Sequence, residues 1–168
     1  MSYLPCELHC HTIHSDGDFT VSELQKAAVD DHLAIIALTD HNTFSGWDEL
    51  DDNIILAIRG IEWTTYFGHM LVLGANDFVD WRDAQPDNID EKIKQVKAVG
   101  GIVGIAHPYQ LGSPLCTGGR WEFNVRDWRN VDYIEVWHQN LYSAKRENER
   151  ALELWTSLLD KGYKIAAT

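Results

Sequence analysis

Ala34-Ile35-Ile36-Ala37-Leu38-Thr39-Asp40-His41-Asn42 is an apolar run that turns polar without a break. A strand that is apolar at every position, with no alternation, is one covered on both faces, and such strands belong to parallel sheets. The abrupt change at Thr39 places acidic and imidazole groups at the strand's carboxyl end, where open α/β folds hold their ligands.

The rest of the chain fits this frame. Residues 6–11 predict a first strand, and 34–39 the second. Between them Thr20 and Glu23 are spaced as a capping box opening a helix over 21–32. Residues 54–65 and 69–74 predict the third and fourth strands. A short amphipathic helix over 89–99, stopped by Gly100 and Gly101, leads to a fifth strand at 102–106. A loop rich in Gly, Pro and Trp covers 108–128, and loops of this length are often functional. The sixth strand is expected at 132–137. The longest helix, 143–161, would bury Ala151, Leu154, Trp155, Leu158 and Leu159 and end at Gly162. A last strand follows at 163–167. Strands alternating with helices predict an α/β fold with parallel strands.

The chain has 168 residues, enough for one domain with a real core. Its 45% apolar and 24% charged residues are those of a soluble globular protein. No stretch approaches the roughly 20 apolar residues of a membrane span, and no basic-then-apolar leader opens the chain. Cys6, Cys10 and Cys116 lack zinc-finger spacing, which fits reduced thiols in a cytoplasm. A net charge of −12 argues against nucleic acid, whose binding rests on Lys and Arg neutralising phosphates. The acidic excess fits either a solvated surface or carboxylates set close to cations.

The chemistry gathers at strand ends. His9 and His11 alternate with Cys10, so the two imidazoles share a face and the thiol points away. Neutral imidazoles facing one pocket suit a first-row divalent metal. Ser15-Asp16-Gly17 follows in a turn. His14 and Asp18 share it, as solvated residues or as substrate contacts. At the second strand's end His41 is a candidate ligand, with Asp40 as the carboxylate that orients it, although a helix cap would also explain Asp40. Glu62 follows mostly apolar residues; burying a carboxylate is costly, so it should face a cation. His69 opens the fourth strand and His107 closes the fifth. Glu135, Trp137 and His138 end the sixth. One histidine at a strand end is usually structural, but recurrence at successive ends is not.

Glu7-Leu-His-Cys-His-Thr with Ser15-Asp16-Gly17, then Thr39-Asp40-His41-Asn42, Gly60-Ile61-Glu62, Gly68-His69 and Ala106-His107-Pro108, resemble the ordered motifs of the PHP (polymerase and histidinol phosphatase) family. The likeness runs from about Tyr3 to the end and is nearer to the family's small stand-alone metal-dependent phosphoesterases and its carbamate-hydrolase-like branch than to its polymerase domains. It implies a distorted (β/α)7 barrel carrying two or three divalent cations, Mn, Fe or Zn. By position, His9, His11 and Glu62 would hold the first; Asp16 and His41 the second; Glu62, His69 and His107 the third, with Glu62 bridging. The family closes its site with an Asp-x-His motif after its last strands, and this sequence stops at Thr168, where that motif would be expected to begin. A single PHP-like domain over 1–168 with its last strand–helix unit missing is therefore expected, together with weakened first and second metal sites.

The expected activity is metal-assisted hydrolysis of a small phosphate ester by a metal-bridging hydroxide. Glu62, His107, Asp40 and His138 are the candidate catalytic groups, with an imidazole of His107 or His138 helping the leaving group. Arg120, Tyr109 and His138 are candidate substrate contacts. Arg59, Trp121 and Trp128 are weaker ones, and His32 reads as a polar helix residue. The alternatives are a carbamate, ester or amide hydrolase on the same metals and a non-catalytic metal-binding module. Amidohydrolase barrels also open with HxH, but they bridge their metals with a lysine that none of the first six strand ends offers here. The expected partner is a phosphorylated small molecule, with no nucleic acid and no membrane.

Overall fold

The computed structural model describes residues 3–111, 119–138 and 144–168. Cys116 and the expected helix start at Ser143 lie outside them. Contacts divide the chain into two compact units, Met1–Glu62 with Val72–Gly74, and Trp63–Leu71 with Ala75–Thr168.

The first unit holds β1 (Cys6–Cys10), α1 (Val21–Asp30), β2 (Ile35–Leu38) and most of β3 (Leu56–Thr65). β1, β2 and β3 are parallel, with Cys10 level with Leu38 and Leu38 level with Arg59. Ile36, Ala37 and Leu38 are buried on both faces, as their unbroken apolar run requires. α1 opens on the expected capping box: the Thr20 hydroxyl accepts the Glu23 amide at 3.3 Å, and the Glu23 carboxylate accepts the Thr20 amide at 2.9 Å. Ala28 packs with Ile36, Ile55 and Ala57, and Leu24, Leu33 and Leu50 close over them.

His32 is not a helix residue. The helix stops at Asp30 and His32 takes a left-handed φ of +60° just beyond it. The Leu33 amide reaches back to the Ala28 carbonyl and the His32 amide to Val29, so the end is a Schellman cap with a residue other than glycine at its left-handed position.

The second unit holds the start of β4 (Gly68–Leu73), then α2 (Ile89–Ala98), β5 (Ile102–Ala106), β6 (Tyr133–Ile134), α3 (Lys145–Asp160) and β7 (Ala166–Ala167). β5, β6 and β7 are parallel. Gly104 lies under the Tyr133 ring, which a Cβ at that position would meet at 2.1 Å. α2 buries Ile89, Ile93 and Val96 and gives way to Gly100 at φ +81°.

The strands are hydrogen-bonded in chain order, β1 through β7. The fold is α/β, as expected, with one departure from uniform crossovers. Only Tyr66 and Phe67 join β3 to β4, too few residues for a crossover helix, so the chain doubles back there. β6 covers Tyr133–Ile134, shorter than the expected 132–137. Beyond Ile134, the Val136 and Trp137 amides both donate to the Thr168 carbonyl. Leu159, expected in the core, is 39% exposed: the buried face of α3 follows Ala151 and Leu158, and Leu159 lies one step around the helix.

Candidate metal centre

In the first unit, parallel register brings the carboxyl ends of β1 and β2 level with Glu62 within β3. His41 and Glu62 face each other across an isolated parallel bridge. Glu62 is fully buried, and three imidazoles close on one of its oxygens. His9 Nε2 and His11 Nε2 lie 3.3 Å from Oε2, and His41 Nδ1 lies 2.8 Å from it. The His9 and His11 rings are 4.9 Å apart. Donors bound to one cation at about 2.1 Å stand roughly 3–3.5 Å from one another. Each nitrogen stands at about that separation from Glu62 Oε2, and imidazole nitrogens with a carboxylate oxygen are the donor types of a first-row metal.

A second group adjoins it within the same unit. Asp16 Oδ1 lies 3.6 Å from His11 Nδ1, and Oδ2 lies 3.3 Å from His41 Nε2. His11, Asp16 and His41 could share an ion. His41 thus meets a carboxylate at each ring nitrogen. Burial pulls its pKa down, but the hydrogen bond and charge of Glu62, with Asp16, outweigh burial, and the net direction is upward. Cys10 points the other way and is buried. Burial, Glu7 and Asp40 push its thiol up to about 12, so it stays protonated and inert.

Asp40 was expected to orient His41, and the structure gives it another task. It is 2% exposed and its two oxygens accept the Thr12 amide at 2.7 Å, the Thr12 hydroxyl at 2.8 Å and the Ser15 hydroxyl at 2.6 Å. Asp40 thereby pins the turn that carries Asp16. Gly17 lets that turn close: a Cβ there would sit 2.3 Å from the His11 carbonyl oxygen. His14 is bonded between Ser45 at 2.8 Å and Glu49 at 2.9 Å, which ties its turn to the loop after β2.

The second unit carries its own histidine group. His69 and His107 are buried with ring centroids 5.1 Å apart, and His138 follows 4.6 Å from His107. The Glu135 carboxylate accepts the His107 amide at 2.8 Å and faces His138 Nδ1 at 3.7 Å. His107 adopts φ +25°, a positive value uncommon outside glycine. Asn148 on α3 accepts the His138 amide at 3.2 Å and donates to its carbonyl at 3.1 Å. Tyr109 lines the same small cavity as His107, Glu135 and His138, and the Arg150 guanidinium stacks 4.1 Å over its ring.

The structure thus groups His9, His11, Asp16, His41 and Glu62 in the first unit, and His69, His107 and His138 in the second. Arg120 is exposed, and Arg59 is exposed with its guanidinium 4.0 Å from Asp52. Glu135, Asn148, Ser15 and Arg150 had no assigned role in the sequence reading. Glu135 had a signal, a carboxylate directly after an apolar strand. The others are joined to their partners by the fold alone.

A family model of the PHP domain matches residues 7–103. Two uncharacterized proteins of Methanocaldococcus jannaschii are similar. One is 30% identical over 110 residues, 65% of this chain and 48% of the relative. The other is 29% identical over 153 residues, 82% of this chain and 85% of the relative. A two-domain Bacteroides vulgatus protein, described as containing a PHP-like metal-dependent phosphoesterase, superposes with a TM-score of 0.67 at 22% identity, covering 98% of this chain and 52% of its own. A Bifidobacterium adolescentis protein described as a metal-dependent phosphoesterase gives 0.61 at 19% identity, covering 93% of this chain and 84% of its own. A Chromobacterium violaceum protein described as an amidohydrolase, with bound sulfate and no metal, gives 0.61 at 17% identity, covering 96% and 84%. At these identities the structural likeness establishes the fold. The chain spans about half the length of the first relative and of the first solved structure.

Proposed function

We propose, from the premise that this chain belongs to the PHP domain family, that it is a metal-dependent hydrolase whose substrate is a small phosphate ester. The observation that carries this reading is the convergence of His9, His11 and His41 nitrogens on one oxygen of the buried Glu62. Three imidazole nitrogens, each within about a ligand–ligand spacing of the same carboxylate oxygen, fit Mn, Fe or Zn. Divalent cations at such sites supply Lewis acidity toward the ester oxygen and lower the pKa of a nearby water.

The chain's own groups take distinct parts. His9, His11 and His41 offer lone pairs, while Glu62 offers charge in a place where water cannot screen it. Asp16, exposed at the rim, is the candidate donor beside His41 for a second ion. In the second unit, His69 and His107 are the candidate ligands. His138, steadied by Asn148, is set to hand a proton to a leaving group. Tyr109 and Arg150 form a candidate surface for an anionic substrate, with Arg120 the sequence-based candidate for the same task. Localisation in the cytoplasm and the absence of a nucleic-acid partner remain part of the proposal. Among the described residues no helix is long and apolar enough to cross a membrane.

An amide or carboxylester substrate is the second reading, favoured by the amidohydrolase description of one structural neighbour. That neighbour also holds sulfate, a tetrahedral oxyanion of phosphate's shape, which tilts the choice toward phosphate esters. The test is metal analysis of the purified protein, then turnover of a generic phosphodiester, a phosphomonoester and a carboxylester with Mn, Fe or Zn supplied. Phosphoester turnover that falls at least about 100-fold in His107→Ala is the expected result. Carboxylester turnover alone would select the second reading. Bound metal without turnover of any substrate would leave a metal-binding module.

A further inference from the structure

We propose that Asp40, acting through Ser15, is a positioning residue that fixes the tautomer of His11, so that Nε2 and not Nδ1 is offered to a cation; this rests on the metal reading of the same site. Both nitrogens of His11 have a carboxylate in view. Nε2 lies 3.3 Å from Glu62, and Nδ1 lies 3.6 Å from Asp16. Either could ligate, and a neutral imidazole has a lone pair on only one of them. Something must choose.

The choice follows from counting protons. Asp40 can only accept, and it takes the single proton of the Ser15 hydroxyl over 2.6 Å. Ser15 Oγ therefore turns a lone pair toward His11 Nδ1, 3.4 Å away. Asp16, the other group facing that nitrogen, is an acceptor too. A ring nitrogen met by two acceptors carries the hydrogen. The lone pair is then left on Nε2, the nitrogen that shares Glu62 Oε2 with His9 and His41.

The relay is held rigidly enough to enforce this. Asp40 also grips Thr12 through both amide and hydroxyl. The Thr12 carbonyl in turn accepts the amides of Ser15 at 3.0 Å and Gly17 at 2.9 Å. Ser15 is thus fixed at backbone and side chain, and turning its hydroxyl around would forfeit its short bond to Asp40. Hydrogen bonds to the far nitrogen of a ligand histidine commonly set its tautomer and basicity.

The test reads the tautomer directly. Metal-free protein labelled with 15N is studied by long-range 1H–15N correlation above pH about 8, where imidazoles are neutral. Wild type is expected to show His11 protonated at Nδ1. Ser15→Ala should mix the two tautomers, and Ser15→Thr, which restores the hydroxyl, should restore the wild-type pattern. Calorimetry with Zn2+ should then show binding weakened about 10-fold in Ser15→Ala and recovered in Ser15→Thr, with both variants still unfolding cooperatively. A wild-type His11 protonated at Nε2, or a tautomer that Ser15→Ala leaves untouched, would overturn the proposal. Because the spectrum needs no metal, Zn2+ failing to bind wild type would overturn the metal reading alone and leave the relay to be decided by the spectrum.

Discussion

His41 is the residue where proton and metal chemistry meet. Its Nδ1 lies 2.8 Å from Glu62 and its Nε2 3.3 Å from Asp16, and the net effect of burial and these carboxylates raises its pKa above the ordinary 6.5. Two opposite pH dependences follow. In metal-free protein, a raised folded pKa means stability that is fully present below the unfolded value and lost as pH rises through the folded one. A cation needs the lone pair that this proton occupies, so metal affinity must rise with pH over the same window. Zn2+ calorimetry from pH about 6 to 8.5 should show affinity climbing and then levelling once His41 is neutral. His41→Ala should bind more weakly and lose that step. Equal affinity across the range would mean that His41 is not a ligand.

The turn after β1 is the element on which the site depends most. Its residues 12–17 fold back on the end of the strand, held by Asp40 from β2's end and by amides on the Thr12 carbonyl. Gly17 is there for space and not for dihedral freedom, since a Cβ would strike the His11 carbonyl at 2.3 Å. Backbone cannot yield as a side-chain tip would, so Gly17→Ala must push out the turn that carries Ser15 and Asp16. A stability loss of about 1–3 kcal/mol is expected, as for other overpacking changes. Zn2+ binding should weaken about 10-fold or more, because a ligand and the support of another move together. The measurements are urea unfolding of metal-free protein and calorimetry. Normal Zn2+ affinity in a destabilised variant would show that the turn only supports the fold.

At the scale of the whole molecule, what could be foreseen was local. The apolar run of β2, the alternation of His9 and His11, and the Thr20–Glu23 box each reside within a few consecutive residues. The departures all come from partners distant in sequence. Asp40 is taken up by Thr12 and Ser15 from the previous strand's end, and Asn148 on a later helix meets His138. The site groups share that non-local character, and this makes them costly when empty. Imidazoles and buried carboxylates have been brought together in each unit of a chain with a net charge of −12. A cation that binds only the folded chain repays that cost by linkage, with about 2.7 kcal/mol at a free concentration 100 times Kd. For a protein of this size the melting temperature should then rise by about 5–10 °C. Scanning calorimetry with Zn2+ or Mn2+, against chelator, measures this. If both groups bind, Glu62→Gln in the first unit and His69→Ala in the second should each lose part of the rise. A variant that keeps the full rise identifies a group that holds no metal, and a wild-type protein indifferent to every cation would leave the acidic and imidazole clusters without the counter-ion their burial demands.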